Sequence, residues 1–172
     1  MTLVPLAGLE VTPWKNGRGR KADVASGDGW FVGLAWIEAD APFSAFPATE
    51  RTCVLVEGAG FTLSFYGRTP AVYAATGDVH SFRGDLPTQA TTAGGPSLVF
   101  NVMTSIGVMT HEVVVTDTLG AQGFAVVLRG SVAGDDGTAR PGDVLLLPHD
   151  GEPSADLMVA VATVAPAGGA GG

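Results

Sequence analysis

The stretch "VLVEGAGFTLSF", Val54–Phe65, decides the fold class. An apolar run stops at a glycine-punctuated turn. It resumes as alternation, with Phe61, Leu63 and Phe65 on one face and Thr62 and Ser64 on the other. Period-two alternation is the mark of a half-buried strand. Working outward, "WFVGLAWI" (30–37), "TCVLVE" (52–57), "SLVFNVM" (97–103), "EVVVT" (112–116), "FAVVLR" (124–129), "DVLLLP" (143–148) and "DLMVAVATV" (156–164) are β-branched or apolar runs bounded by Gly, Pro or Asp. No window carries a long 3.6-residue period with caps at both ends. The expectation is an all-β sandwich or barrel with little helix.

The opening stretch has an echo. "VLVEG" leads through a hairpin-like "AGFTLSF" to "GDV" at 77–79, and "VVLRG" (126–130) leads through "SVAGDDGTA" to "GDV" at 142–144. A Gly-Asp step before a strand suits a tight turn, because Gly tolerates positive φ and Asp bonds nearby backbone. The repeated order suggests two β-barrel-like halves packed together. A Gly-rich sequence also produces such short repeats by chance.

Length and composition agree with one ordered domain. A chain of 172 residues buries roughly 70% of its unfolded surface. The 46% hydrophobic and 15% charged fractions exclude a disordered chain. Glycine at 25 and proline at 11 favour turns and short strands. We expect a single domain over 1–165, made of halves at about 1–110 and 111–165, with a disordered tail at 166–172. The lone Cys53 excludes an intramolecular disulfide, and its apolar surroundings suggest a buried thiol. The N-terminal run has no basic region followed by an apolar stretch, and no membrane span is present; the expected location is cytoplasmic. A net charge of -8 argues against nucleic-acid binding.

Catalytic motifs are sparse. His80, His111 and His149 stand alone, with no H-x-H pair, so neither metal nor other cofactor is expected. No G-x-S-x-G elbow and no phosphate-binding loop ahead of a helix occur. Glu57 ends an apolar strand before Gly58; at a barrel mouth it would have a raised pKa and serve as acid or base, whereas facing solvent it would do neither. "FSAFP" (43–47) carries Phe43 and Phe46 on a Pro-flanked loop, fit either to wall a ligand pocket or to plug the barrel end. Arg51 opens the next strand, where its planar fork can clamp a carboxylate or pair with an internal acid.

Four blocks carry a resemblance: "PWKNGRGRKADVA", "WIEADAPFSAFPATERTCVLVEG", "FNVMT" and "VVLRG". In order and spacing, from roughly 12 to 150, they are similar to the HutD/Ves family, whose pattern reads W-[KR]-N-G-G-G, P-F-S-x-F-P-G-x-x-R with L-E-G, and F-N-x-M. The resemblance implies a cupin fold of the RmlC-like kind, with two β-barrel halves (bicupin-like), and a link to histidine utilisation. It carries over no established catalytic activity. Trp14, Lys15, Asn16, Gly17 and Gly19 match the first block; Phe43, Ser44, Phe46, Pro47, Arg51, Glu57 and Gly58 the second; Asn101 and Met103 the third. The expected ligand contacts are Trp14, Lys15, Asn16, Gly17, Phe43, Phe46, Arg51, Glu57, Asn101 and Met103.

The chain departs from the pattern after the first block. The central Gly of the triplet is Arg18, and Lys21-Ala22-Asp23 stand where the family tends to have Thr-Arg-Glu. The expected function is non-enzymatic binding of a small acidic metabolite, with a regulatory role in histidine utilisation. The acidic intermediates of histidine breakdown, such as urocanate and formylated or formiminated glutamate, suit Arg, Lys and Asn contacts. The alternative is a metal-independent isomerase, lyase or hydrolase acting on a small carboxylate, with Glu57 as acid or base. Cupin-like proteins often dimerise through sheet packing, so a homodimer is a further expectation, although no residue marks the interface.

Overall fold

A computed structural model describes residues 2–14 and 16–168. Lys15, one of the expected ligand contacts, lies outside the described residues, and so does the 169–172 part of the expected tail. In chain order the strands are β1 (Leu3–Val4), β2 (Val11–Pro13), β3 (Gly19–Gly27), β4 (Trp30–Ile37), β5 (Ala41–Pro42), β6 (Thr49–Gly58), β7 (Phe61–Phe65), β8 (Ala71–Tyr73) and β9 (Val79–Arg83). They continue as β10 (Thr88–Thr92), β11 (Ser97–Ser105), β12 (Met109–Thr116), β13 (Gly123–Arg129), β14 (Val132–Gly134), β15 (Gly137–Ala139), β16 (Val144–Leu147), β17 (Glu152–Pro153) and β18 (Met158–Pro166). Among the described residues the helical content is one 3₁₀ turn, Leu6–Gly8. The all-β expectation holds.

The strands form four sheets: β5-β10-β7-β8, β2-β3-β4-β11-β6-β9, β1-β16-β13-β18-β12 and β15-β14-β17. Three apolar clusters lie between successive sheets. Ile37, Leu55, Phe61, Leu63 and Tyr73 join the four- and six-stranded sheets. Leu34, Val54, Phe100, Val126 and Val144 join the six- and five-stranded sheets. Val127, Val132, Ala139, Leu145 and Val159 fill the space between the five- and three-stranded sheets. The six-stranded sheet is therefore buried on both faces. This is why "WFVGLAWI", "TCVLVE" and "SLVFNVM" are nearly continuous apolar runs rather than alternating ones.

The echoed Gly-Asp steps build the same turn twice. Gly77 N–H donates to Leu55 O (2.8 Å), and Leu55 N–H donates to Asp78 O (2.9 Å). Gly142 N–H donates to Val127 O (2.9 Å), and Val127 N–H donates to Asp143 O (3.0 Å). Each Asp carboxylate accepts from the backbone N–H three residues earlier, Ala75 for Asp78 (2.9 Å) and Arg140 for Asp143 (2.9 Å). Asp78 also accepts from Ala74 N–H and Asp143 from Leu6 N–H, both at 2.8 Å. The backbone hydrogen bonds from Ala75 and Ala74 hold the Asp78 carboxyl below the usual carboxylate range.

His111 on β12 bridges the two central layers. Its Nδ1 lies 2.7 Å from Thr104 Oγ1 on β11 and its Nε2 lies 2.8 Å from Thr52 Oγ1 on β6. Thr52 Oγ1 continues to Ser81 Oγ at 2.7 Å. One ring nitrogen donates and the other accepts, so the neutral imidazole is fully satisfied. His111 is thus a half-buried histidine with both ring nitrogens hydrogen-bonded. No helix among the described residues is long and apolar enough to cross a membrane.

Two outcomes are expected. Burial lowers the His111 pKa below its ordinary value, so the unfolded chain binds the proton more readily than the folded one. Stability then falls as pH drops through about 6.5 and below. Melting temperature between pH 7.5 and 5 should drop less steeply in His111→Gln than in the parent. Separately, Asp78→Ala removes an acceptor for two backbone N–H groups and should cost about 1 kcal/mol in urea unfolding.

Candidate functional site

Register determines which side chains meet on the face of the six-stranded sheet toward the four-stranded one. Phe82, Arg51, Met103 and Phe31 pair across β9, β6, β11 and β4 in one row. The next row runs His80, Cys53, Asn101, Gly33 and Asp23, ending on β3. The third runs Leu55, Val99, Ala35 and Lys21. Over this floor lies a pocket of about 650 Å³, walled by Trp14 and by the loop from Phe43 to Phe46.

Arg51 is buried, at 6% exposure, and has no acidic partner among the described residues. Its guanidinium carbon lies 5.2, 5.1 and 5.3 Å from the ring centroids of Phe43, Phe46 and Phe82. Nη1 reaches Ser44 O at a long 3.4 Å, and the buried Nε has no partner. Burial lowers the Arg51 pKa, but a guanidinium keeps its proton in proteins. Neighbouring Cys53 cannot serve as counter-ion, because burial pushes its thiol up to about 12. Burial likewise raises the Tyr73 phenol, so it too is neutral. Asn101, one row further in, has a buried Oδ1 without a partner. The site thus presents an uncompensated cation and a free acceptor.

The aromatic wall depends on two close approaches. Trp14 meets Phe43 edge-on, with centroids 5.9 Å apart and planes at 86°. A Cβ on Gly19 would lie 2.8 Å from two Trp14 ring atoms and 2.6 Å from Trp36 O, so only glycine lets the indole lie against β3 there. Likewise a Cβ on Gly33 would lie 2.8 Å from Phe31 Cε1, because the Phe31 ring covers that gap in the floor.

A family model described as HutD matches residues 7–163. The chain belongs to the HutD family. It is similar to HutD from Pseudomonas fluorescens SBW25, in a formate condition, at 20% identity and TM-score 0.77, covering 97% of this chain and 99% of that one. It is also similar to a conserved protein of unknown function from Pseudomonas aeruginosa PAO1, at 18% identity and TM-score 0.74, covering 96% and 98%. No curated protein matches. These likenesses show that the chain shares the fold of those two proteins.

The HutD motif blocks divide by position. Trp14, Phe43, Phe46, Arg51, Asn101 and Met103 line the pocket. Asn16 and Gly17 do not. Asn16 Oδ1 accepts from Arg18 N–H (3.0 Å) and Gly17 N–H donates to Trp14 O (2.9 Å), so these residues build the turn that aims Trp14. Glu57 is also absent from the pocket. Strict alternation from Arg51, Cys53 and Leu55 would have put it on the pocket face. A bulge between Leu98 and Val99 instead pairs Glu57 with Leu98, a residue of the opposite face, and leaves it exposed.

Sequence reasoning missed several lining residues, Phe31 and Lys21 among them. Phe31 lay inside a run too uniformly apolar to show which residue turns to the pocket, and Lys21 fell where the chain departs from the HutD pattern. Of the cations beside Lys21, Arg18 donates to Asp40 O (3.0 Å) and Arg20 to Glu38 Oε1 (2.7 Å), both outside the pocket. Gly19→Ala should cost about 1–3 kcal/mol by displacing Trp14. Tryptophan emission and urea unfolding read the displacement together.

Proposed function

We propose that this HutD protein binds a small carboxylate metabolite without transforming it, and that its occupancy has a regulatory role. HutD membership links the chain to histidine utilisation. The observation that carries the proposal is Arg51, a buried guanidinium lining the pocket with no acidic partner among the described residues and one N–H unpaired. A carboxylate supplies both the missing charge and the missing acceptor, and charge-assisted pairs of this kind are strong. The unpaired Asn101 Oδ1 accepts an N–H from the same ligand, which fits the amide and imidazole groups of histidine-breakdown intermediates. The aromatic walls take the apolar body.

The enzymatic alternative has less support. The described residues that line the pocket include no Asp, Glu or His, and Glu57 lies on the far side of the bulge. General acid–base chemistry needs such a group within hydrogen-bond reach of the ligand.

Thermal melts with histidine-pathway carboxylates test the binding. A ligand at 100 times its Kd should stabilise the parent by about 2.7 kcal/mol. Arg51→Met should lose that stabilisation. The ligand-free variant should be more stable than the parent, by about 1–2 kcal/mol, because a lone buried charge is replaced by an apolar chain of similar volume. Absence of any shift at millimolar ligand, or an undiminished shift in Arg51→Met, would overturn the proposal.

A further inference from the structure

Lys21 departs from the residue the HutD pattern tends to have at its position, yet the fold places it in the pocket. On β3 it pairs with Ala35, which puts it in the floor row with Val99 and Leu55. Its neighbour Arg20 pairs with Trp36 and carries its charge to the other face, with its guanidinium carbon 4.9 Å from the Trp36 centroid. Lys21 Nζ lies 5.8 Å from the centroid of Phe31, the ring that covers Gly33 on the floor. The ammonium thus stands at the edge of the pocket floor and keeps part of its contact with solvent. Its partner is Asp23 at 2.9 Å, one row nearer Arg51. Both side chains are about half exposed, and an exposed pair of this kind contributes little, so an incoming anion can take over the ammonium.

Arg51 and Lys21 thus stand at opposite ends of one pocket. They are three strands and two rows apart, about 20 Å along a flat sheet. Lys21 Nζ reaches toward Phe31, a residue of the Arg51 row, while the Arg51 guanidinium stays among Phe43, Phe46 and Phe82; Asn101 lies on β11 between the two cations' strands. The chain as a whole is acidic, with a formal net charge of -8, so a doubly charged ligand depends on local cations to offset the repulsion. The geometry points to a ligand with two anionic ends: one carboxylate on Arg51 and a second anionic group on Lys21. This rests on the carboxylate reading of Arg51 and adds a residue that sets specificity for length and charge. A ligand with a single carboxylate uses the Arg51 end alone.

The test is a calorimetric titration of the full chain with linear dicarboxylates from succinate to suberate. Each is compared with the monocarboxylate of equal length. The parent should prefer the dicarboxylate, most strongly at an intermediate length, and added salt should reduce the preference. Lys21→Met keeps the apolar stem over Phe31 and should lower the preference about three- to fivefold. Arg20→Gln removes the same charge from the next residue of β3, outside the pocket, and should leave the preference in place. An unchanged preference in Lys21→Met, an equal loss in Arg20→Gln, or a parent that binds both series alike would overturn the second-anion site. In those cases loss of all binding in Arg51→Met would leave the carboxylate reading standing. A parent that binds neither series would overturn both.

Discussion

Burial of the six-stranded sheet on both faces is the constraint on which everything else depends. Side chains alternate along a strand, so one face must be filled by Val54, Phe100 and Leu34 against the five-stranded sheet. The intervening residues are then committed to the other face. There Leu55, Val99 and Ile37 pack under the four-stranded sheet, and Arg51, Asn101 and Met103 continue the same face of β6 and β11 into the pocket. Core and site are two consequences of one register. A slip of a single residue would exchange them.

Arg51 is costly where it stands. A buried charge without a partner is among the least favourable arrangements a fold can hold. Three ring faces at about 5 Å recover part of that cost, and the cation stays poised because no acid among the described residues pairs with it. An internal salt bridge would have stabilised the fold and closed the site. The aromatic cage holds the guanidinium in place while leaving Nε without a partner.

Much of this was legible in the linear chain. The strand runs and the echoed Gly-Asp turns follow from residue types at given spacings, whereas Trp14, Asn101 and Met103 came only through the resemblance to HutD/Ves. Glu57 shows where that method stops. Its period-two spacing from Arg51 points to the pocket, but one extra residue at a bulge reverses the facing, and no local residue choice announces it. Asn16 and Gly17 show a second limit: a motif position can serve the site by shaping the turn beside it. Lys21 shows a third. In sequence it stood only as a departure from the family pattern, and pairing with Ala35 separates it from Arg20, whose charge goes to the opposite face.

Sequence alone therefore determined the all-β class, the family and the residue types available to a site, because these depend on local periodicity and on motifs that survive as text. Tertiary structure decided which of those residues share a face, which bulge turned Glu57 away and which cation entered the pocket. These depend on pairing between strands far apart in the chain. Register across β3, β4, β11 and β6 is set by burying both faces at once, and that condition is not written in any single segment.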